Sequence, residues 1–350
     1  MVKKKKSGGR LRRFLIAFLM VVGVFVMLIG YQYYHRTYAP NVAYADEQEY
    51  LYIPTGSDYA QLLAIITDKN IVKNIEAFEW VAVKMKLPQN IHPGKYRLEK
   101  GMNNYGLVKM IRGGLQEPVK LVINKFRLKE DLAGFVGRKL EADSTALLEA
   151  MNDESVLKSF SLTPATSLSL IVPNTYEFRW NTSAKQFMER MKKEYDRFWT
   201  ASRKNKAVAL GLSPDEVTTL ASIVEEETNY QPEKGTVAGV YLNRINKGML
   251  LQADPTVKYA LRDFSIKRVL NVHLTFTSPY NTYLNKGLPP GPICTPSVKT
   301  MDAVLNTVQN DYLYFCANPD KPGTHSFAKT YSEHLLNARR YQQWLTERGR

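Results

Sequence analysis

The sequence has only two cysteines and five histidines among its 350 residues. Neither type is arranged at the short spacings that mark a metal site, so no metal ion is expected. Basic and aromatic residues are not interleaved in a nucleic-acid motif, so the net charge of +15 does not indicate DNA or RNA binding. No internal repeat is visible. What remains is an ordinary globular balance, 44% hydrophobic and 23% charged, in a chain long enough for two or three domains.

An apolar run lies near the N-terminus. Residues 14–34 carry no charged side chain, and a helix of that length crosses about 30 Å of hydrocarbon. A basic tail, residues 1–13, precedes the run, and Tyr31, Tyr33 and Tyr34 lie at its far end, as in an interfacial aromatic belt. We therefore expect a single-pass membrane protein, with a cytoplasmic N-terminus and everything after the run outside the cytoplasm. A cleavable signal peptide is the alternative, although the run is longer than usual for one and no small-x-small site follows it.

Export would place Cys294 and Cys316 in an oxidising compartment, where a disulfide is permitted. Two positions alone do not distinguish a bridge from two buried free thiols. The sequence leaves the state of both cysteines open.

A small module is expected after a linker at residues 35–48. Within 49–117 the pattern predicts a strand at 49–53, helices at 59–66 and 75–85, a strand at 95–98 and a helix at 104–111. This order of elements resembles the LysM-like domain found ahead of certain cell-wall enzymes. A plain α+β spacer is the alternative.

The stretch 213–230 is the most informative part of the chain. Ser213, Pro214 and Glu216 supply the N-cap, the first helical residue and the capping-box partner of a helix. An apolar stripe then follows at helical spacing, formed by Val217, Leu220, Ala221 and Val224. A core-facing helix is therefore predicted to end at three consecutive glutamates.

These three glutamates are 100° apart on the helix and cannot share one environment. Glu226 lies opposite the apolar stripe and is expected in solvent. Glu225 is expected to be either a supporting partner of the reactive acid or a solvated acid at the helix end. Glu227 lies between Leu220 and Ile223, where desolvation would raise its pKa and keep a proton on it near neutral pH, as a general acid needs. Carboxylates at a helix C-terminus interact unfavourably with the helix dipole. Such departures from local sequence preference concentrate at functional sites, which favours a functional role for this glutamate triplet.

A second helix is predicted from Pro232 to Gly248, and a third with Asp254 as N-cap and Pro255 as its first residue. This arrangement should bring Glu227 and the loop of Gln252 to one cleft. The later segment 278–293 is too rich in Pro and Gly for a helix or a central strand. It presents Tyr280, Asn281 and Tyr283, whose aromatic faces and amide suit sugar rings. A loop that only covers the core is the alternative.

The remaining elements are less distinctive. Residues 118–210 are taken as the near wall of the catalytic domain. Strands are predicted at 119–123 and 311–317, helices at 129–140, 144–151 and 183–198, and a final helix near the C-terminus. Residues 171–178, which contain Pro173, are predicted to form a loop.

Several motifs together resemble the endolytic murein transglycosylase family, also called YceG-like. They are Ala-Ser-Ile-Val-Glu-Glu-Glu-Thr at 221–228, Val-Ala-Gly-Val-Tyr-Leu-Asn-Arg at 237–244, Gly-Met-Leu-Leu-Gln-Ala-Asp-Pro-Thr-Val-Lys-Tyr at 248–259, Tyr-Asn-Thr-Tyr at 280–283, Gly-Leu-Pro-Pro-Gly-Pro-Ile at 287–293, Asp-Tyr-Leu-Tyr-Phe at 311–315, and Thr-His-Ser-Phe at 324–327. The resemblance is strong from about residue 210 onward and weak over 47–117.

The resemblance implies an α+β fold: a transmembrane helix, a LysM-like module, and a mixed α+β catalytic domain over 118–350 with its core motifs in 213–334. It implies cleavage of peptidoglycan glycan strands between N-acetylmuramic acid and N-acetylglucosamine, leaving 1,6-anhydro ends and terminating glycan elongation. The resemblance also implies a bacterial inner-membrane protein that needs no metal ion and no cofactor. The family's catalytic glutamate precedes a threonine and corresponds to Glu227. Gln252, Asn281, Tyr283 and Tyr280 are then expected to bind substrate, and penicillin-binding proteins are possible partners. A muramidase that uses water and a non-catalytic, membrane-tethered wall-binding scaffold are the alternatives.

Overall fold

The structure, a computed structural model, describes residues 8–43 and 49–348. In these ranges the chain is a mixed α+β protein in which helices predominate and the strands form three two-stranded sheets. Its contacts divide it into two units. The first contains the chain up to Val119 together with Arg179–Asn181, and the second contains the rest.

Helix α1 spans Gly8–Tyr38 and is 31 residues long, about 46 Å at 1.5 Å per residue. It includes the apolar run 14–34, and the most apolar 18-residue window within Leu11–Tyr38 has a mean hydropathy of 2.7 and is not buried. It is consistent with a single-pass membrane anchor. The helix continues into the expected linker, and Asn41 beyond it donates a hydrogen bond to Asn104 at 2.7 Å. The start of the basic tail, 1–7, and the linker residues 44–48 lie outside the described residues.

The first unit contains the predicted order of strand, helix, helix, strand and helix. These elements are β1 (Glu49–Ile53), α2 (Tyr59–Asp68), α3 (Ile75–Lys84), β2 (Gly94–Leu98) and α4 (Asn104–Arg112). Strand β1 pairs antiparallel with β2, and side chains such as Leu51, Phe78 and Leu107 form the buried core. Asp58, Asn74 and Asn103 cap the three helices through their side chains. The likeness to a LysM domain stays a prediction.

The second unit is larger. Its elements are β3 (Val119–Ile123), α5 (Lys129–Gly137), α6 (Ser144–Ala150), α7 (Glu154–Ser159), β4 (Asn174–Phe178), α8 (Ala184–Phe198), α9 (Ala201–Ala209), α10 (Pro214–Glu227), α11 (Lys234–Asn246), α12 (Asp254–Leu261), α13 (Asn271–Leu274), α14 (Val298–Leu305), β5 (Tyr314–Ala317), β6 (His325–Ala328) and α15 (Tyr331–Glu347). Strand β3 pairs with β4, and β5 pairs antiparallel with β6. The predicted loop at 171–178 was therefore wrong, because its second half gains a partner strand that is distant in sequence.

Helix α10 lies at the centre of the second unit. Every residue from Val217 to Val224 is buried, and the core around them includes side chains of α11 and α14. The polar members of this run are satisfied locally: Thr218 and Thr219 donate to the carbonyls of Pro214 and Asp215, at 3.0 and 2.8 Å. The sequence showed one apolar stripe, whereas the structure buries the helix on all sides.

Because α10 is enclosed, the prediction that Glu226 lies in solvent was wrong. Its side chain is only 12% exposed and forms ion pairs with Lys125 at 3.0 Å and Arg127 at 2.8 Å. Arg127 binds the carboxylate with both Nε and Nη2. These two cations offset the desolvation of Glu226 and hold its pKa below the usual range.

Candidate active site

Glu227 is the last residue of α10, and a buried network fixes the chain just beyond it. Thr228 leaves the helix in an extended conformation, and its hydroxyl donates to Glu233 at 2.5 Å. Glu233 also accepts the backbone N–H of His325 at 3.0 Å, and its other oxygen lies 2.8 Å from Nδ1 of that histidine. The end of the helix is thereby tied to strand β6.

The side chain of Glu227 lines a cavity of about 270 Å³. Six segments of the second unit contribute to its wall: the end of α10, α11, the loop into α12 with the first residue of that helix, the Pro- and Gly-rich loop 278–293, β5 and α15. The side chains that line it are Glu227, Tyr241, Arg244, Leu251, Gln252, Asp254, Tyr283, Phe315 and His334. Three of the residues singled out in the sequence, Glu227, Gln252 and Tyr283, are thus brought together.

Burial dominates the electrostatics of Glu227. It raises the pKa of this carboxyl to about 7, and the negative charge of Asp254 acts in the same direction. Tyr241, which is 1% exposed, donates its hydroxyl to Oε1 of Glu227 at 2.6 Å. This bond stabilises the carboxylate and partly opposes the rise in pKa. Near neutral pH the carboxyl therefore exists in both protonation states, as a group that gives and takes a proton requires.

Arg244 lines the same cavity. Its guanidinium donates to the carbonyls of Leu313 at 2.6 Å and Leu251 at 2.8 Å, so it holds the residue just before β5 and the loop before α12 together. Gln252, in that loop, has a left-handed backbone with φ of 52°, which is costly for a residue other than glycine. Gln252 lines the cavity from this loop.

A second carboxyl lines the same cavity. Asp254 accepts the hydroxyl of Tyr283 at 2.6 Å. Asp254 was predicted to be the N-cap of α12, but Ala253 occupies that position and Asp254 is the first helical residue. Its carboxylate is therefore available to side chains of the cavity.

Two residues predicted to bind substrate have other surroundings. Asn281 is fully buried, and its amide nitrogen donates to the carbonyls of Leu274 at 2.9 Å and Phe276 at 2.8 Å. It shapes the Pro- and Gly-rich loop instead of reaching the cavity. Tyr280 lies 4.7 Å from Tyr259, ring to ring, and lines a different cavity. The sequence placed both residues beside Tyr283, but a side chain's direction within a loop depends on the fold.

Glu225 does not support Glu227, and it is not a solvated acid either. It accepts hydrogen bonds from Lys234 at 2.9 Å, from Ser297 at 3.1 Å and from Thr300. These partners outweigh desolvation and lower its pKa. Lys234 is only 6% exposed, so Glu225 serves as the counter-ion of a buried ammonium group.

The sequence interpretation missed four polar residues of the cavity: Tyr241, Arg244, Asp254 and His334. Tyr241 lies on the second predicted helix, and a buried tyrosine hydroxyl needs a partner, which could have linked it to a nearby carboxyl. His334 stacks on Tyr314 with ring centroids 5.4 Å apart, and burial, with Arg244 nearby, lowers its pKa. Its imidazole therefore favours the neutral form.

Within residues 8–43 and 49–348, no group of three or more His, Cys, Asp or Glu side chains is placed to hold a metal ion. Cys294 and Cys316 are both free thiols, which answers the question that their spacing left open. Cys294 is fully buried, and burial raises the pKa of its thiol. Neither cysteine lines the cavity of Glu227.

Fold and cavity together define a helix-rich α+β protein with a buried, proton-holding carboxyl group in a polar cleft. A model of the YceG-like family matches residues 51–340, and the chain belongs to that family. A Bacillus subtilis protein named endolytic murein transglycosylase is 29% identical over 309 residues, covering 83% of each chain. A Streptococcus pneumoniae protein of the same name is 26% identical and covers 94% of this chain, which matches 65% of that longer relative. A crystal structure of a YceG-like protein from Listeria monocytogenes has 30% identity and a TM-score of 0.55, covering 83% of this chain and 99% of that one.

Proposed function

We propose that this protein is a peptidoglycan lytic transglycosylase. It cleaves the bond between N-acetylmuramic acid and N-acetylglucosamine within a glycan strand and leaves a 1,6-anhydro-muramyl end. Membership of the YceG-like family and the names of the Bacillus and Streptococcus relatives support this activity. We assign the proton transfer to Glu227, because a pKa of about 7 leaves its carboxyl group with a transferable proton at neutral pH.

In the first step, protonated Glu227 gives its proton to the oxygen of the glycosidic bond. The bond between that oxygen and C1 of the muramyl sugar breaks, the electron pair leaves with the oxygen, and positive charge develops at C1. Glu227 is left as a carboxylate. Tyr241, 2.6 Å from Oε1, stabilises that carboxylate through its hydroxyl.

In the second step, the Glu227 carboxylate takes the proton of the C6 hydroxyl of the same muramyl sugar. The C6 oxygen then bonds to C1 and closes the anhydro ring, which returns the proton to Glu227 and consumes no water. A nucleophile within the substrate gains the advantage of a tethered reactant, so one carboxyl group suffices. Glycosidases that use water instead employ two carboxyl groups.

Gln252 and Tyr283 line the cavity beside Glu227, and we assign them to the hydroxyl and N-acetyl groups of the sugar. Arg244, with three of its contacts on backbone carbonyls, maintains the shape of the wall. Asn281 and Tyr280 act on the loop and not on the substrate.

The test is to incubate the Glu227→Gln variant with uncrosslinked glycan strands and to measure released fragments by mass spectrometry. We expect loss of cleavage, because glutamine cannot transfer the proton. Glu226→Gln is the matched control, since it removes a neighbouring carboxyl whose partners are Lys125 and Arg127. Cleavage retained in Glu227→Gln would remove this residue from the mechanism.

A hydrolytic muramidase is the second candidate, and Asp254 is the observation that favours it. A second carboxyl in the cavity of Glu227 could activate a water molecule. Product mass separates the two activities, because an anhydro end is lighter by one water than a reducing end. Products made in heavy-oxygen water would carry the label only if hydrolysis occurs.

For the whole chain we propose an anchor at 14–34 in the inner membrane, with residues 1–13 in the cytoplasm and the rest outside it. The module at 49–117 would be LysM-like, and residues 118–350 would form the catalytic domain. Nascent glycan strands would be the substrate, so cleavage would terminate their elongation, and penicillin-binding proteins are the expected partners. Protease accessibility in spheroplasts tests the orientation, since only an exported domain would be degraded from outside.

A further inference from the structure

The end of α1 packs on helix α3 through an aromatic residue of the first unit. Tyr33 of α1 contacts the ring of Trp80 edge-on, with centroids 5.5 Å apart. Two cations flank the same ring: the Arg36 guanidinium at 5.8 Å and the Lys84 ammonium at 5.9 Å from its centroid. Trp80 is thus held between the membrane-anchor helix and two basic side chains.

Helix length places this contact at the membrane boundary. Arg13 is the last charge before the apolar run, and Tyr33 follows about 30 Å further along at 1.5 Å per residue. That distance equals the hydrocarbon thickness of a typical bilayer, and a usual tilt of about 20° shortens it only slightly. With α1 across the bilayer, Tyr33 lies at the outer boundary and Trp80 lies beside it. Tryptophan and tyrosine are enriched at this depth.

Exposed aromatic and apolar side chains surround the contact. Tyr34 and Tyr38 of α1 are 62% and 41% exposed, and Val83 of α3 is 60% exposed. A row of rings runs from α1 to the module, because Tyr38 lies 5.7 Å from both Tyr34 and Tyr105. Such a cluster is unusual on a surface that faces only water.

A cavity of about 340 Å³ with a mixed polar and apolar lining lies beside the same part of α1. Tyr31, His35 and Arg36 line it from α1, and Asn74 and Asn104 line it from the module. At this depth the neighbouring groups are phospholipid headgroups, which suit such a lining. Glu76 and Glu79 lie on α3, so attraction to anionic lipid is not the main basis of the contact.

We propose that the Trp80 face of α3 lies in the headgroup layer of the membrane that α1 enters. The partner is the phospholipid interface itself. Trp80 and the tyrosines of α1 occupy the boundary, while Arg36 and Lys84 extend their charged ends to phosphate oxygens. The first unit would then be fixed against the bilayer surface instead of moving freely on a flexible linker.

The experiment uses the full chain in nanodiscs of phosphatidylethanolamine and phosphatidylglycerol, with lipids brominated near the headgroup end of the acyl chains. Bromine quenches tryptophan fluorescence only at close range. We expect quenching in the parent protein and loss of most of it in Trp80→Phe. Trp344→Phe, which removes a half-buried tryptophan from the other unit, is the matched control and should keep the quenching.

A second probe does not depend on removing Trp80. Val83→Cys, made with Cys316→Ser, can carry a bimane label without disturbing the core, and Cys294 is too buried to react. We expect the label to be quenched by the brominated lipids and protected from aqueous iodide. Equal lipid quenching in Trp80→Phe and the parent, or a label quenched only by iodide, would overturn the proposal. The proposal would also be overturned if the protein did not co-purify with nanodiscs, because α1 would then not be a membrane anchor.

Discussion

Replacing Tyr241 by phenylalanine tests how the cavity controls the proton of Glu227. The hydroxyl of Tyr241 donates to the Glu227 carboxyl at 2.6 Å, and this bond favours the charged form of the carboxyl. A hydrogen bond to a charged group contributes about 1.5–3 kcal/mol. Because one pKa unit corresponds to about 1.4 kcal/mol, its loss should raise the pKa of Glu227 by about 1–2.

The sign of the effect on activity follows from the role of the proton. The first chemical step needs protonated Glu227, so kcat/KM should fall as pH rises through a pKa of about 7. In Tyr241→Phe this falling limb should move to higher pH by about 1–2 units. Since the change removes only one oxygen, the fold should be retained.

The assay is the rate of anhydro-end formation from uncrosslinked glycan, measured from pH 5 to pH 10. Tyr280→Phe is the matched control, because Tyr280 contacts Tyr259 in another cavity and its removal should leave the limb in place. An unmoved limb in Tyr241→Phe, or one displaced to lower pH, would refute the assignment of the titrating proton to Glu227.

Three further predictions concern stability. The pKa of Glu227 rises on folding from 4.5 to about 7, so its stabilising contribution is complete below pH 4.5 and is lost as pH rises through 7. Glu227→Gln should therefore stabilise the protein by up to about 3 kcal/mol at pH 8 and much less at pH 4, in thermal unfolding; equal effects at both pH values would contradict this. Glu225→Gln leaves Lys234 buried without its counter-ion and should cost about 3 kcal/mol in urea unfolding, whereas Glu177→Gln, in an exposed pair, should cost less than about 1 kcal/mol. Asn281→Ala leaves two partly buried carbonyls without their donor and should cost about 1–3 kcal/mol; a drop in substrate affinity at unchanged stability would restore Asn281 to the substrate site.

The sequence alone determined the features that depend only on residues close together along the chain. The capping box of Ser213 and Glu216, the uncharged run 14–34 and the order of elements in 49–117 are all local patterns, and the structure contains each of them. The family motifs identified the YceG-like family, and position on a helical wheel singled out Glu227 from its two neighbours. The burial of Glu227 followed from its position between Leu220 and Ile223, but the same argument failed for Glu226, because the structure buries α10 on all sides.

The tertiary structure decided everything that depends on distant segments. The sequence of α10 does not show whether Glu226 is solvated or paired, since Lys125 and Arg127 come from a segment about 100 residues earlier in the chain. The same holds for Tyr241 and Asp254, which reach Glu227 only because α11 and α12 pack around α10. Asn281 and Tyr283 are two residues apart in the loop, yet one is buried and the other lines the cavity. Sequence spacing fixes which residues are near along the chain, whereas packing fixes which of them share a cavity and its electrostatics.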